Sequence, residues 1–375
     1  MQICICRVRV EYKKLGDIAT YINGYAFKPE QRGNEGLPII RIQDLTGNAY
    51  DLGYYNGDYP KKVELNDGDV LISWSASLGV YLWNRGKALL NQHIFKVVFD
   101  KVEIDKFYFM YAVEYNLDKM SLKTHGATMK HITKKDFDNV VIPYPDLDYQ
   151  KEVTYRLTSL KGIIEKYQKQ LDLLDELVKA RFVEMFGDPV TNPKGWETTS
   201  IGDECYYIKD GPHKSLPDIG RDNGGHPFIS VRNIVNGYID FSDARYISDE
   251  DYYDSIKKCH PEKGDMLYSK GGTTGIAKLI DIDEPFANWV HVAVLKFDKF
   301  RLNGIFFENM LNGDYCYSQS QRLTKGIANR DLVLSAMAQI KLYCPPLELQ
   351  NQFASFVQEI DKSRSRIQKS LEASQ

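Results

Sequence analysis

Residues 145 to 189 form the segment PDLDYQKEVTYRLTSLKGIIEKYQKQLDLLDELVKARFVEMFGDP. Apolar side chains recur in it at alternating steps of four and three residues, the spacing of the a and d positions of a coiled coil. Gly187 and Pro189 end the pattern, since glycine supplies a C-cap and proline cannot continue a helix. The sequence therefore predicts one helix, roughly 58 Å long, from residue 148 to residue 186. The residues of this apolar seam are Val153, Leu157, Leu160, Ile164, Tyr167, Leu171, Leu174 and Val178.

The chain carries the same domain twice in tandem, a pattern that is sought before other features are interpreted. Segments of the two copies match in the same order, and the shift between them grows from 186 to 200 residues. A second copy with about 14 extra residues in its loops explains this growth. The matching pairs are 15–17 with 201–203, 38–45 with 227–234, 68–73 with 264–269, and 145–150 with 345–350.

Each copy joins a strand-rich globule to a long helix. The first ~140 residues of a copy are short β-branched and aromatic segments cut by Gly, Asn and Asp turns, which predicts a mixed α/β domain. Each seam could pack on its own domain, but the unbroken heptad favours an antiparallel coiled coil between the two helices. The predicted fold class is therefore α+β, with two tandem domains that are each followed by a long helix. The second seam has Arg364 at an expected apolar position and otherwise consists of Phe353, Val357, Ile360, Ile367 and Leu371.

Composition excludes several classes of protein. With 43% hydrophobic residues and no run of 18 apolar ones, the chain is predicted to be a soluble globular protein, and without a secretory signal the cytoplasm is expected. The net charge of -3 argues against a small dedicated nucleic-acid binder, so charge has to be judged locally. The cysteines have no metal-site spacing and are predicted to be free thiols. They are Cys4, Cys6, Cys205, Cys259, Cys316 and Cys344.

Catalytic motifs are absent from the sequence. It contains no P-loop, no Asn-Pro-Pro-aromatic segment of an adenine methyltransferase and no Gly-x-Ser-x-Gly elbow. Asp146, Asp148 and Lys151 come closest to a nuclease constellation, but the lysine is displaced by one residue from the required spacing. We interpret these charges as polarity at a helix N-terminus and expect neither catalytic residues nor a metal ion in this chain.

Basic and small polar side chains cluster around one glycine in each copy, Gly126 and Gly326. Lys and Arg supply charge for phosphates, and His, Asn and Thr supply short polar contacts to base edges. For any single lysine a solvated surface is the alternative, but the recurrence of the cluster favours DNA binding. The candidate contacts are Lys123, His125, Thr128, Lys130 and His131 in the first copy, and Arg322, Lys325, Asn329 and Arg330 in the second.

A loop rich in small residues follows a Gly-Asp strand in each copy. Hydroxyl and glycine residues let backbone amides approach a phosphate closely, although an ordinary hairpin loop is equally consistent with these residues. His93 and His291, which lie in β-type segments, are interpreted as structural. The candidate contacts in the two loops are Ser73, Trp74, Ser75 and Ser77, and Ser269, Lys270, Thr273 and Thr274.

Four motifs together resemble the specificity subunit of type I restriction-modification systems. They are Leu-Gly-Asp near the domain start, Gly-Asp-x-Leu-x-Ser in mid-domain, Pro-Pro-Leu-Glu-x-Gln opening a heptad helix, and Glu-Met-Phe-Gly-Asp-Pro at 184–189 closing one. The resemblance spans residue 15 to the C-terminus, while residues 1–9 match nothing in the pattern and the C-terminal helix is shorter than the central one.

This resemblance implies two target recognition domains that each read half of a split DNA site and are held apart by paired helices. It implies domains at 1–146 and 188–345 and helices at 147–187 and 346–375. Methyltransferase and restriction subunits would dock on this chain, and S-adenosylmethionine, ATP and magnesium would be bound by those partners. Two alternatives remain: a duplicated scaffold that binds only proteins, and a specificity subunit of a methyltransferase that has no nuclease.

Overall fold

The computed structural model describes residues 10–48, 51–123, 133–327 and 329–374, with side chains described for all of them except residues 118 and 120–123. The chain forms two compact units, 1–163 and 164–375, and the boundary falls within the helix Leu147–Phe186. No helix in the described ranges is both long and apolar enough to cross a membrane.

The described residues of the first unit form short strands, three short α-helices, two 3-10 turns (Pro29–Gln31 and Lys61–Val63) and one longer helix before the central helix. Its strands are β1 (Glu11–Lys14), β2 (Thr20–Asn23), β3 (Leu37–Ile40), β4 (Gly53–Tyr55), β5 (Glu64–Leu65), β6 (Val70–Ser73), β7 (Gly79–Leu82), β8 (Ala88–Leu90), β9 (Ile94–Val98) and β10 (Val141–Tyr144). Its helices are α1 (Leu15–Ile18), α2 (Ile42–Thr46), α3 (Lys106–Lys123), α4 (Lys134–Asp138) and the start of α5 (Leu147–Phe186).

The second unit repeats this order after the end of α5. Its strands are β11 (Thr198–Ser200), β12 (Cys205–Asp210), β13 (His226–Ile229), β14 (Arg245–Ile247), β15 (Met266–Ser269), β16 (Ala277–Leu279), β17 (Ala287–Asn288), β18 (Val292–Phe297) and β19 (Lys341–Tyr343). Its helices are α6 (Ile201–Glu204), α7 (Asp249–Lys258), α8 (Gly304–Asn312), α9 (Asp314–Leu323), α10 (Leu334–Met337) and α11 (Leu347–Glu372).

Sheet topology confirms the predicted duplication. The main sheet has the order β2-β9-β6-β7 in the first unit and β12-β18-β15-β16 in the second, with every neighbouring pair antiparallel. A second sheet contains the parallel pair β3-β8 in one copy and β13-β17 in the other. A closing pair of strands, β1-β10 or β11-β19, precedes each long helix. Among the described residues the two units share one topology, except that β5, which pairs with β8 in the first unit, has no counterpart in the second.

The copies differ in their connections, as the growing shift predicted. Between β14 and β15 the second unit has α7, whereas in the equivalent interval the described residues of the first unit form a single 3-10 turn, Lys61–Val63, and the two-residue strand β5. The single α3 of the first unit corresponds to α8 and α9 of the second, which Gly313 separates. These differences lengthen the second copy, while its main sheet keeps the strand order of the first.

A buried glutamine fastens each long helix to its domain. The Gln150 side chain accepts a hydrogen bond from the backbone N–H of Asp105 at 2.9 Å and donates to the proline carbonyl five residues earlier at 2.8 Å. Gln350 accepts from the backbone N–H of Asn303 at 2.9 Å and likewise donates to the proline carbonyl five residues before it, at 2.6 Å. The repeated Pro-x-Leu-x-x-Gln motif is thus the joint between sheet and helix in both copies.

Both predicted helices are confirmed, α5 with 40 residues and α11 with 26. α5 ends where the glycine was expected to cap it, because Gly187 adopts a positive φ of 81° and its N–H donates to the carbonyl of Val183 at 2.8 Å.

Within the second unit the end of α5 packs antiparallel against α11. Arg364 Nη2 lies 2.6 Å from Asp175 Oδ1, and the ring of Phe353 lies 5.4 Å from that of Phe182 and 5.6 Å from that of Phe186. Going forward along α5 from Asp175 to Phe186 therefore means going backward along α11 from Arg364 to Phe353. This is the predicted antiparallel pairing, and the arginine at an apolar seam position forms an ion pair with an aspartate of the facing helix.

The predicted seam is buried along only part of its length. In the second unit it is well covered, with Leu171, Val178, Phe353, Val357 and Leu371 buried, and Ile164, Tyr167, Leu174, Ile360 and Ile367 half-buried. In the first unit Val153 is half-buried, but Leu157 and Leu160 are 37% and 43% exposed, which corrects the expectation of a seam buried throughout. Length gives a physical reason: 26 helical residues extend about 39 Å and 40 extend about 60 Å, so α11 is too short to pair with all of α5.

Candidate nucleic-acid interface

The two candidate loops begin at the carboxyl ends of equivalent strands, β6 and β15. Ser73 and Ser269, the last residues of these strands, are fully buried. Ser269 Oγ accepts a hydrogen bond from the N–H of Ile276 at 2.8 Å, and Ser73 Oγ donates to the carbonyl of Ser77. Both hydroxyls therefore hold their own loop together, and neither is exposed to a ligand in this structure.

In the second unit the glycine loop passes through a narrow space. A Cβ on Gly271 would collide with the imidazole of His291, and one on Gly275, which has a positive φ of 90°, would collide with the hydroxyl of Ser320. Thr274 is buried, and its hydroxyl lies 2.9 Å from that of Thr324. The small residues at these positions are required by packing, and of the loop only Gly272 and Thr273 are exposed.

The structure brings the two candidate clusters of the second unit together. The N–H of Leu332 donates to the carbonyl of Lys270 at 2.7 Å, and the N–H of Gly272 donates to that of Arg330 at 3.0 Å. The Arg330 guanidinium bonds to the side chain of Gln321 and reaches the Thr274 hydroxyl at 3.4 Å. The glycine loop and the segment that follows α9 therefore form one continuous surface.

Lys270 neutralises charges inside this surface. Its side chain is only 7% exposed, and its Nζ lies 3.1 Å from Asp331 Oδ1 and 3.5 Å from Asp210 Oδ2. The same Asp210 carboxylate is 2.9 Å from Lys258 Nζ and 3.6 Å from the exposed His213. The predicted phosphate contact at Lys270 is therefore replaced in this structure by ion pairs that link the glycine loop to Asp210 and Asp331.

Sequence reasoning missed Asp210, His213, Lys258 and Asp331, which complete this network. The sequence did contain one signal for this place, a glycine directly after β2 in one copy and after β12 in the other, following Asn23 and Asp210. Such a glycine indicates a close approach of another backbone segment. In the structure, a Cβ on either glycine would overlap the backbone of Asn91 or Asn288.

Four predicted contacts of the second unit remain exposed on the surface: Thr273, Arg322, Lys325 and Asn329. No acidic residue occurs from residue 321 to residue 330, so this edge is locally basic although the whole chain has a net charge of -3. A locally basic edge with amide and hydroxyl groups can bind phosphates and hydrogen-bond to base edges. The objection drawn from overall charge therefore does not apply to it.

Part of the first copy's cluster lies outside the described residues, namely His125, Thr128, Lys130 and His131, and the side chain of Lys123 is likewise not described. The loop after β6 is described. There the Trp74 ring stacks on Phe95 at 5.5 Å and meets His93 edge-on at 5.1 Å, and it is half-exposed like Ser75, while Ser77 is exposed.

His93 and His291 occupy equivalent positions beside the two loops. Each ring packs edge-on against a tryptophan, Trp74 at 5.1 Å and Trp289 at 5.0 Å, and each Nδ1 is buried. The carbonyl of His291 accepts the N–H groups of Lys270 at 2.8 Å and Gly271 at 3.3 Å. These contacts support the interpretation of the histidines as structural parts of the loop base.

The candidate surface lies at the end of the main sheet opposite the long helix. In the second unit, Ser269 at the end of β15 pairs with Val292 at the start of β18, so the loops meet at that end of the strands. At the other end of the strands, Gln350 of α11 donates to the carbonyl of Arg301, just after β18, at 3.0 Å. The first unit has the same arrangement, with Ser73 pairing with Ile94. The long helix and the candidate loops are therefore at opposite ends of each domain.

The described residues were compared with two kinds of catalytic group, metal ligands and reactive thiols. They contain no group of three or more His, Cys, Asp or Glu side chains that could hold a metal ion. The described cysteines, Cys205, Cys259, Cys316 and Cys344, are free thiols as predicted, and burial raises the pKa of Cys259 to about 11. A thiol with so high a pKa is protonated at neutral pH and is a poor nucleophile.

Comparison with known families agrees with the duplicated fold. The family described as "Type I restriction modification DNA specificity domain" matches the chain twice, at residues 7–174 and 193–374. The MjaVIII type I restriction enzyme specificity subunit of Methanocaldococcus jannaschii is 23% identical over 371 residues, covering 94% of this chain and 86% of its own length. The EcoBI specificity subunit of Escherichia coli is 22% identical over 392 residues, covering 95% of this chain and 80% of its own.

Solved structures share the fold at low sequence identity. The S subunit of a type I restriction-modification system from M. genitalium superposes with a TM-score of 0.59 at 14% identity, covering 100% of this chain and 95% of that one. A chain from a structural study of complex assembly and conformational transition in the type I system gives a TM-score of 0.52 at 14% identity, with 100% and 98% coverage.

Proposed function

Because the chain belongs to the family of type I restriction modification DNA specificity domains, we propose that it selects the DNA target of a type I restriction-modification complex. Each of its two domains reads one half of a bipartite target. The observation that carries this proposal is the repeated placement of polar loops at the free end of each main sheet, opposite the long helix.

The contacts proposed for the second domain follow from exposure. Arg322 and Lys325 supply cations for phosphates, while Thr273 and Asn329 supply hydrogen-bonding groups for base edges. The buried Lys270 acts indirectly, since its ion pairs with Asp331 and Asp210 hold the loops in place. For the first domain the half-exposed Trp74 and Ser75 and the exposed Ser77 occupy the corresponding loop.

The chain acts as a non-catalytic subunit in this proposal. Methyltransferase subunits modify the target and a restriction subunit cleaves it, with S-adenosylmethionine, ATP and magnesium bound by those partners. The exposed apolar residues of α5 support a docking role for the helices: besides Leu157 and Leu160, its surface displays Ile163, Leu173, Leu177 and Val183. Apolar side chains repeated along one long helix are typical of a helix that packs against other proteins.

Salt-dependent DNA binding by the assembled methyltransferase complex tests the DNA surface. Each phosphate contact contributes about 0.9 to the slope of log affinity against log salt, so the Arg322→Ala/Lys325→Ala double variant should lower that slope by about 1.8. The matched control is Lys263→Ala/Lys299→Ala, which removes the same charge next to Gly264, at the opposite end of β15. Equal slopes for the wild type and the first double variant would place Arg322 and Lys325 away from the DNA.

A further inference from the structure

The segment after α9 forms a loop whose two ends are joined by backbone hydrogen bonds. Lys325 and Asp331 exchange two backbone hydrogen bonds of 2.9 Å, which closes the chain between them like the end of a two-stranded ribbon. Gly326 has a positive φ of 85°, and a Cβ there would collide with the carbonyl of Asn329. The base of the loop is joined to the glycine loop through the N–H of Gly272 and the carbonyl of Arg330. The two ends of the loop are therefore held in place by backbone contacts.

This loop holds an isoleucine entirely in solvent. Ile327 is fully exposed, the most exposed of the large hydrophobic side chains among the described residues. It contributes nothing to the core of its own domain, and its β-branched side chain has few rotamers to lose when it is covered. An exposed apolar group at this place is suited to a contact that forms only in a complex.

The surroundings of Ile327 indicate which kind of complex. Arg322, Lys325 and Asn329 are exposed next to it in the sequence, and the segment 321–330 has no acidic residue. This basic edge is complementary to a phosphate backbone. A closed two-stranded turn fits the major groove of B-DNA, which is about 12 Å wide and admits a β-ribbon, but not the minor groove of about 6 Å.

The major groove offers an apolar side chain one distinct partner, the C5-methyl group of thymine. We propose that Ile327 reads a thymine by packing on this methyl group, which makes it a specificity-determining residue of the second domain. This inference rests on the proposed function, because it assumes that the loop enters the DNA groove.

Thymine-to-uracil replacement tests the contact, because it removes only the methyl group. With the target defined by methylation sequencing, the wild-type complex is measured on duplexes in which each thymine of the target becomes uracil in turn. Burial of one methyl group corresponds to about a fourfold change in affinity, so one position should show a loss of about that size. Ile327→Ala should bind thymine DNA about fourfold more weakly than the wild type and bind thymine and uracil equally at that position, whereas Ile327→Val should keep the preference.

Phe300→Ala is the matched control. Phe300 is 89% exposed and follows β18, at the sheet end where α11 begins, so its removal should leave affinity and thymine preference unchanged. Any of three results would overturn the inference. Ile327→Ala could still discriminate thymine from uracil as well as the wild type does, the wild-type complex could bind every uracil duplex as tightly as the thymine duplex, or the target could contain no thymine.

Two further readouts identify other partners of Ile327. If 2-aminopurine in the target brightens on binding of the wild type but not of Ile327→Ala, the side chain is a wedge between bases, and the thymine contact is refuted. If Ile327→Ala loses methyltransferase subunits yet keeps thymine discrimination, the residue contacts protein, and the inference is likewise refuted. Failure of the proposed function is distinguishable, because the wild-type complex would then not prefer its target over random duplex.

Discussion

The Phe353→Ala substitution tests the pairing of the two long helices. Phe353 is fully buried, and its ring meets Phe182 and Phe186 of the facing helix edge-on. Replacing a buried Phe by Ala costs about 3 to 5 kcal/mol through lost burial and the cavity that remains. For a unit of about 200 residues, 1 kcal/mol lowers Tm by about 2 to 4 °C, so a fall of about 6 to 20 °C is expected.

Thermal unfolding of the full chain, followed by far-UV circular dichroism, measures this shift. Hydrogen exchange of peptides from α11 then shows whether that helix is the part that opens. Ser355→Ala is the control, because Ser355 lies on the exposed side of the same helix. In a double-mutant cycle, Phe182→Ala and Phe353→Ala should couple by about 0.5 to 1.5 kcal/mol, the range for aromatic pairs. A Tm within 2 °C of the Ser355→Ala value would refute the helix contact, on the about 2 to 4 °C per kcal/mol scale used above.

Three further outcomes are expected. Arg364→Asp should weaken the helix pair, and adding Asp175→Arg should restore part of the lost Tm, whereas no rescue would mean that their ion pair does not orient the helices. At pH 8 the buried thiols should resist Ellman's reagent until denaturant is added, because burial raises their pKa to about 11 or 12 and leaves little thiolate. Rapid labelling of these thiols in the native protein, identified by peptide mapping, would contradict this expectation. These thiols are Cys205, Cys259 and Cys316. Seven extra residues in both α5 and α11 keep the heptad phase and lengthen each helix by about 10 Å. Methylation sequencing should then show a spacer about three base pairs longer between unchanged half-sites. An unaltered spacer in an active variant would mean that the helices do not set its length.

Features that repeat in the sequence could be predicted well. Gln150 and Gln350 stand in the same short motif and make the same backbone hydrogen bonds, so the repeat located a structural joint correctly. The heptad and its closing glycine placed α5 within about a residue at each end, since helix periodicity and C-capping are local properties. The domain boundaries proposed on either side of the helices remain a prediction.

Features that depend on distant residues could not be predicted in the same way. Lys270 looked like an exposed phosphate contact, yet Asp210 and Asp331, 60 and 61 positions away in the sequence, bury it in ion pairs. Leu157 and Leu160 continue the heptad but stay exposed, because a seam is buried only where a partner is long enough to cover it. Residue type and spacing alone do not contain this information.

The way in which the ends of the loop after α9 are anchored has a consequence for how the proposed function could change. The ends are joined by backbone groups of Lys325 and Asp331, which almost any residue could provide, and Gly326 supplies a positive φ. The side chains of Ile327 and Asn329 point into solvent, where substitutions usually change stability by less than about 0.5 kcal/mol. Under the proposed function, substitutions at these positions would alter the preferred target without threatening the fold. A change of DNA target would then need only single substitutions in this loop.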